Sequence, residues 1–352
     1  MGALLQNTVF GRTKYRANTF IGGIGNTFNT PALIANKIGI SVSRIKSFRI
    51  IGDDVEFAII GDAKYTLAAG AFMNNTNITY FHDQDGKISY ILYSAFSGAT
   101  NLKSAIFPSI ITVDGSGYAA AGVFYNCYNL EYFSALKLET TGSYMFQGCS
   151  KIKAFNFPVL NEIKGAPFSG CSSLETINAE TVTIIGGGSF RNCGNLQHFN
   201  CDNVEIIGDS AFINCSKLMN ITGLSKVKDI KSYAFYGCSN LEGIITAPMV
   251  TTIGYQVFYN CHKITDYYFP ELLTLEAAGS ITWTFYNNSS VNSIYIPKVT
   301  ALGTPGYNAI FVNIKSGCII TVSNSLKTIN SGTPDSDILY AQDTRGGNII
   351  YI

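Results

Sequence analysis

The chain reads as a β-rich solenoid, a pile of short coils with little helix, and three observations carry that expectation. Seven cysteines recur at near-constant intervals, Cys127, Cys149, Cys171, Cys193, Cys215, Cys238 and Cys261, with gaps of 22, 22, 22, 22, 23 and 23 residues. Each follows a phenylalanine by three positions: Phe124, Phe146, Phe168, Phe190, Phe212, Phe235 and Phe258. Apolar residues then keep fixed places after that phenylalanine, so the period organises a whole packing unit rather than one residue type.

With phenylalanine as position zero, +6 holds Leu130, Ile152, Leu174, Leu196, Leu218, Leu241 and Ile264. Position +9 holds Phe133, Phe155, Ile177, Phe199, Ile221, Ile244 and Tyr267, and +11 is looser, from Ala135 and Phe157 to Thr246 and Phe269. This spacing is neither helical nor strictly alternating. It fits a short strand with +9 and +11 turned inward, entered through a bend that turns +6 inward as well. A second apolar pair, such as Val204 and Ile207, and a glycine turn lead to the next phenylalanine. One coil cannot bury its own apolar face. Stacked coils can, each side chain lying on its counterpart at the strand spacing of about 4.8 Å.

Weaker copies of the frame start at Phe72, Phe96 and Phe285, where Asn75, Ala99 and Asn288 replace the cysteine. Phe311 opens another unit, Gly317 at +6 ends the pattern, and Ile45-x-x-Phe48-x-Ile50 reads as a first, degenerate coil. The expectation is ten to eleven coils of 22–28 residues over 43–317, a stack about 50 Å long. Residues 1–42, rich in glycine and small polar residues, read as an N-terminal arm or attachment segment with little core. Residues 318–352 read as a C-terminal β cap: a strand at 318–322, a polar loop through Pro334 and a final strand at 348–352. Open ends of a stack expose ladder hydrophobes and strand edges, so both segments suit caps; docking onto an assembly is the sharper reading of the first.

The runs Ala211-Phe212-x-x-Cys215-x-x-Leu218 and Ala234-Phe235-x-x-Cys238-x-x-Leu241, with a proline after the strand at Phe107-Pro108, Phe157-Pro158, Phe269-Pro270 and Ile296-Pro297, resemble the BspA-like leucine-rich repeat. The resemblance covers about residues 60 to 315. It implies a leucine-rich-repeat solenoid of the α/β horseshoe class with little helix. It also implies a place among surface adhesins of bacteria or among phage tail proteins, and says little about ligand.

Composition narrows the function classes. Charged residues make up 13% of the chain and the net charge is +1, against a usual charged share of about 25%. With no basic block, the footprint for nucleic acid is missing. No apolar run approaches the ~20 residues of a membrane span, so no membrane insertion is expected. The first residues carry no secretory signal pattern, since the apolar run Ala3-Leu4-Leu5 is short and is followed by Arg12, Lys14 and Arg16.

Candidate chemistry is sparse. One cysteine per coil is not the C-x-x-C pairing of a zinc site, and a total of nine opposes a complete disulfide framework, so the Phe and Cys series read as a structural ladder. The histidines His82, His198 and His262 accompany no nucleophile-elbow motif. Asp83-Gln84-Asp85-Gly86 begins like a calcium loop but has Ser94 at its twelfth place. Asp335 and Asp337 read as turn residues, and Gly186-Gly187-Gly188 lacks the lysine of a phosphate loop. No catalytic residue, metal or cofactor is assigned.

The outward face of the strands, positions +8 and +10, is the remaining candidate. Tyr132, Asn156, Asn178, His198, Asn200, Tyr268 and Tyr295 fall there. Asparagine and tyrosine rows offer hydrogen bonds and flat apolar faces for protein or glycan recognition. The plainer reading is that stacked asparagines bond one another and cover the sheet. The first functional expectation is a non-enzymatic virion component: a phage tail-fibre or receptor-binding subunit, joined to other tail proteins through its N-terminal arm, homo-oligomeric, and contacting a host surface protein or glycan. The alternative is a bacterial cell-surface adhesin of the BspA-like type, working extracellularly.

Overall fold

The computed structural model describes residues 20–22, 30–38, 40–51, 54–59, 64–83, 86–113, 122–276, 283–302, 310–327 and 335–352. The sequence frame maps onto the backbone coil by coil. In the Phe190 coil, a turn carrying Phe190 and Cys193 leads to a strand, His198–Asn200, and then, after a second turn, to a two-residue strand, Ile206–Ile207. The first strands form one wall, pairing in parallel one coil apart, so that Asn178 lies opposite Asn156 and Asn220 opposite His198. The short strands form a second wall, a six-stranded parallel sheet from Glu162–Ile163 to Thr274–Leu275. The core runs as one apolar column between the walls and the phenylalanine turns.

Eleven phenylalanines, from Phe72 to Phe311, stack in that column. Successive ring centroids are 5.0–6.2 Å apart and no two neighbouring rings are tilted by more than 14°. Beside them runs a thiol ladder. Each of the seven frame cysteines donates its Sγ–H to the carbonyl of the phenylalanine one coil earlier, at 3.0–3.3 Å. All nine cysteines are free and buried, and burial pushes the ladder thiols well above the ordinary thiol range. The turn that holds this geometry needs a left-handed residue at +2. All eleven such positions are asparagine or glycine, from Asn74 (φ 56°) to Asn313 (φ 55°), the residues that adopt this conformation at least cost.

Several expectations are corrected. Ile45, Phe48 and Ile50 do not start a coil. Ile45–Ile51 pairs antiparallel with Asp54–Ile59, and the two residues between the strands permit only a hairpin, since a parallel pair needs a long crossover. Phe20–Gly22 lies between Asp54–Ile59 and Tyr80–Asp83, antiparallel to both, so it ends the parallel wall with strands of opposite sense. Residues 1–19 of the expected arm lie outside the described residues. Further along it, helix α1 (Pro31–Ile38) buries Ile34, Ala35 and Ile38, starting on a proline that suits the first helical position.

Ile244 was placed inward and Ile245 outward, and the structure reverses them: Ile244 is 64% exposed and Ile245 2%. The register against Lys263–Tyr268 steps between Gly243 and Ile244, leaving Thr265 unpaired and setting Ile245, not Ile244, opposite the buried Tyr267; a one-residue slip of this kind turns every following side chain over. At the far end the frame continues past Gly317, because Ile320 (+9) and Val322 (+11) are buried and Ile319–Val322 pairs in parallel with Ser293–Ile296. Backbone pairing needs no side chain at +6. Between the expected polar loop and the final strand stands helix α2 (Ser336–Arg345), capped by Asp335, whose carboxylate accepts from Asp337 N–H at 2.9 Å, and closed by Gly346 at φ 61°. Asn348–Tyr351 then adds one more parallel strand.

Candidate functional site

The first wall turns +9 and +11 into the core, so +8 and +10 must face out. Tyr132, Asn156, Asn178, His198, Asn200 and Tyr268 are exposed, and Tyr295 is half-buried against its neighbour. Asn178 Nδ2 donates to Asn156 Oδ1 at 2.9 Å, and Asn220 Nδ2 lies 3.3 Å from His198 Nδ1. Asn200 is held by Asp202: its Nδ2 donates to Asp202 Oδ2, while its Oδ1 accepts from Asp202 N–H, both at 2.9 Å. Tyr268 and Tyr295 stack at 4.9 Å with planes 13° apart. Local bonding between asparagines is therefore real, as the plainer reading expects, and it fixes the side chains in one plane rather than removing them from solvent.

The seven candidates thus share one wall, but not one pocket. From the Phe146 coil to the Phe285 coil the face changes from amide to aromatic, with the misplaced Ile244 exposed between the two. Ion pairs on the surface, Lys153–Glu175 at 3.6 Å, Lys228–Glu205 at 2.8 Å and Lys298–Glu271 at 2.6 Å, link neighbouring coils. Exposed pairs of this kind contribute little to stability.

The other sequence candidates are structural. His82 is buried, its Nε2 2.6 Å from Ser104 Oγ, and burial lowers its pKa to about 4. His262 Nδ1 lies 2.9 Å from the Asn287 carbonyl. Asp83 accepts from Lys87 N–H at 2.8 Å and Ile88 N–H at 2.7 Å, which makes a turn of the calcium-loop look-alike. Asp337 is buried and accepts from Ile310 N–H at 3.0 Å. Among the described residues no group of three or more His, Cys, Asp or Glu is placed to hold a metal ion.

Sequence reasoning missed an aromatic ridge on the phenylalanine turns. Tyr236, Tyr259 and Tyr286 stack at 4.7 Å with planes 3–6° apart, while Tyr233 packs edge-on to Tyr255 at 4.6 Å and Trp283 lies 5.5 Å from Tyr286. Its signal was tyrosine at +1 in three successive coils.

Among the described residues, coils stacked in parallel around one apolar column define a repeat solenoid, a class whose members commonly act as binding modules. The chain belongs to the BspA-type leucine-rich repeat family: six copies of that repeat region match it, over residues 65–197, 119–242 and 228–333. Among solved structures, a leucine-rich repeat protein from Bacteroides ovatus ATCC 8483 is 20% identical, with 87% of this chain and 90% of that chain covered and a TM-score of 0.47. The T. pallidum leucine-rich repeat protein is 21% identical over 57% of this chain and 90% of that one (TM-score 0.41). A leucine-rich cell surface protein from Faecalibacterium prausnitzii A2-165 is 18% identical over 87% and 94% (TM-score 0.38). No curated protein sequence matches the chain.

Proposed function

We propose that the chain is a non-enzymatic recognition module of the bacterial surface-adhesin type, and that the outward wall from Tyr132 to Tyr295 contacts its partner. The observation that supports this most is the wall itself: Asn, His, Ile and Tyr side chains lie exposed in register across successive coils, with ion pairs kept to neighbouring positions. Such a surface offers aromatic anchors and amide donors on a rigid frame, the combination that gives affinity at low entropic cost. Membership of the BspA-type family favours the surface adhesin. The tail-fibre reading, placed first from sequence, draws no support from the family or the fold, and the strand Phe20–Gly22 of the supposed docking arm is paired along both edges within the sheet.

The test is binding of the purified chain to an array of extracellular-matrix proteins and glycans. The double variant Tyr268→Ala/Tyr295→Ala should weaken the strongest interaction at least about tenfold with unchanged thermal unfolding. Undiminished binding by that variant and by Asn156→Ala/Asn178→Ala would remove the wall from consideration.

A further inference from the structure

The first wall parts where Thr176–Asn178 meets His198–Asn200. In the flanking steps the end of the strand pair is closed by Phe157 N–H donating to the Asn178 carbonyl at 2.9 Å and by Cys201 N–H donating to the Thr222 carbonyl at 2.8 Å. Ala179 and Asn200 hold the equivalent places and do not make this bond with each other. At the other end Gln197 N–H reaches the Glu175 carbonyl at 3.5 Å, against 2.8 Å from Glu175 to Lys153 and 2.9 Å from Met219 to Gln197. The parting opens a depression of about 180 Å³, lined by Ile177, Asn178, Ala179, Glu180, Phe199 and Asn200. Side-chain size explains where it forms. Ile177 stands at +9 between Phe155 and Phe199 and is half-buried where they are buried, and Ala179 follows Phe157 at +11. The wall also parts at Ala135 and between Asn220–Thr222 and Glu242–Thr246, but there Ala135 is sealed, with 0% exposure, and Ile221 and Leu224 are buried.

We propose that this depression is a subsite for the acetamido group of an N-acetylated sugar, an inference that rests on the wall being the recognition surface. A secondary amide needs one donor and one acceptor, and the parted strands supply both from backbone. Ala179 N–H donates to the ligand's carbonyl, and the Asn200 carbonyl accepts from the ligand's N–H. The acetyl methyl lies on Ile177, Ala179 and Phe199, where leaving water is favourable. The rim is polar, with the Asn178 and Asn200 amides and Glu180 placed to meet sugar hydroxyls. An extended peptide fits less well. Strand addition needs a long open edge, and here two three-residue strands are each already paired on their outer sides.

The experiment uses the full chain and ligand-observed NMR with three uncharged or zwitterionic probes. These are a β-1,4-linked trimer of N-acetylglucosamine, the glucose trimer of the same linkage (hydroxyl in place of acetamido), and tri-alanine. The acetylated trimer should bind with saturation centred on its methyl groups, and the glucose trimer at least about tenfold more weakly. Ile177→Phe fills the depression with the residue its neighbouring coils carry at that position, and should cut the affinity at least about tenfold with wild-type thermal unfolding. If that variant melts early, narrowing the floor with Ala179→Val should weaken binding in the same direction. Tyr236→Ala/Tyr259→Ala, on the turn ridge away from the wall, should leave the acetyl response intact. Equal binding of the two sugars, indifference to both filling variants, or occupation by tri-alanine overturns the subsite. Partner binding by the wall without any acetyl response would also overturn it and leave the recognition reading standing, whereas loss of both would sink the two together.

Discussion

The coils from Phe124 to Phe212 and those from Phe258 to Phe311 share one frame, but the second group sets aromatic rings outside the core as well as within it. In the first group Phe133, Phe155 and Phe199 point into the core from +9, and asparagine takes +10 outside at Asn156, Asn178 and Asn200. In the second, Tyr267 and Ile294 hold +9 while Tyr268 and Tyr295 move outside, beside the ridge of Tyr259 and Tyr286. Tyr267 brings a hydroxyl into the core, and a buried hydroxyl needs a partner. Asn288, in the cysteine slot of the next coil, provides it: Tyr267 Oη–H donates to Asn288 Oδ1 at 2.6 Å. Asn288 Nδ2 meanwhile donates to the Phe258 carbonyl at 2.8 Å, the bond a thiol makes elsewhere. The slot therefore takes an amide where a tyrosine hydroxyl needs a partner, a thiol in the regular half, and a plain apolar side chain at Ala99 and Ile314.

The largest expected effect breaks the regular half. Phe190→Ala removes a fully buried ring stacked between Phe168 and Phe212 and should cost about 3–5 kcal/mol, measured by denaturant unfolding. Phe311→Ala, at the end of the ring stack, should cost less; equal losses would contradict coil-by-coil stability.

At the first end a buried histidine sets a pH effect. His82 is buried with its pKa lowered from 6.5 to about 4, so the folded chain binds fewer protons than the unfolded chain between those values. Its neutral form supports the fold fully above pH 6.5, and stability falls as pH drops from there towards 4, by at most about 3 kcal/mol from this residue. Unfolding of wild type and His82→Gln at pH 7.5 and 4.5 checks this: identical pH slopes would exonerate the histidine.

The smallest effect sharpens the comparison. Asn288→Cys restores the thiol of the regular half but strands the Tyr267 hydroxyl, and should cost about 1–3 kcal/mol. Adding Tyr267→Phe should recover most of that loss, and a double-mutant cycle with no coupling would disprove the partnership.

Much of this was legible because stacking forces side chains one period apart into the same environment, so Phe124 to Cys261 could be placed from spacing alone. The extra residue in each 23-residue coil was visible too, but not its location. In the Phe212 coil the added length falls by the 3-10 turn Leu224–Lys226, and in the Phe235 coil it is a bulge at Gly243, which inverted Ile244 and Ile245. The antiparallel end escaped because the pairing of Phe20–Gly22 with Tyr80–Asp83 is long-range and repeats nothing. The ridge tyrosines sit in turns, where no inward–outward alternation marks them. On the wall, Asn156, Asn178 and Asn200 were placed by alternation, whereas the parting beside Ala179 depends on the sizes of residues stacked from three coils, which no single position reveals.

The thiol column has one practical consequence. Each sulfhydryl is sealed by the coil on either side of it, so it meets an alkylating reagent only when its own neighbourhood opens. Labelling rates at Cys127 through Cys261, read peptide by peptide in a mass spectrometer, would chart where along its length the stack first comes apart, with no probe added to the protein.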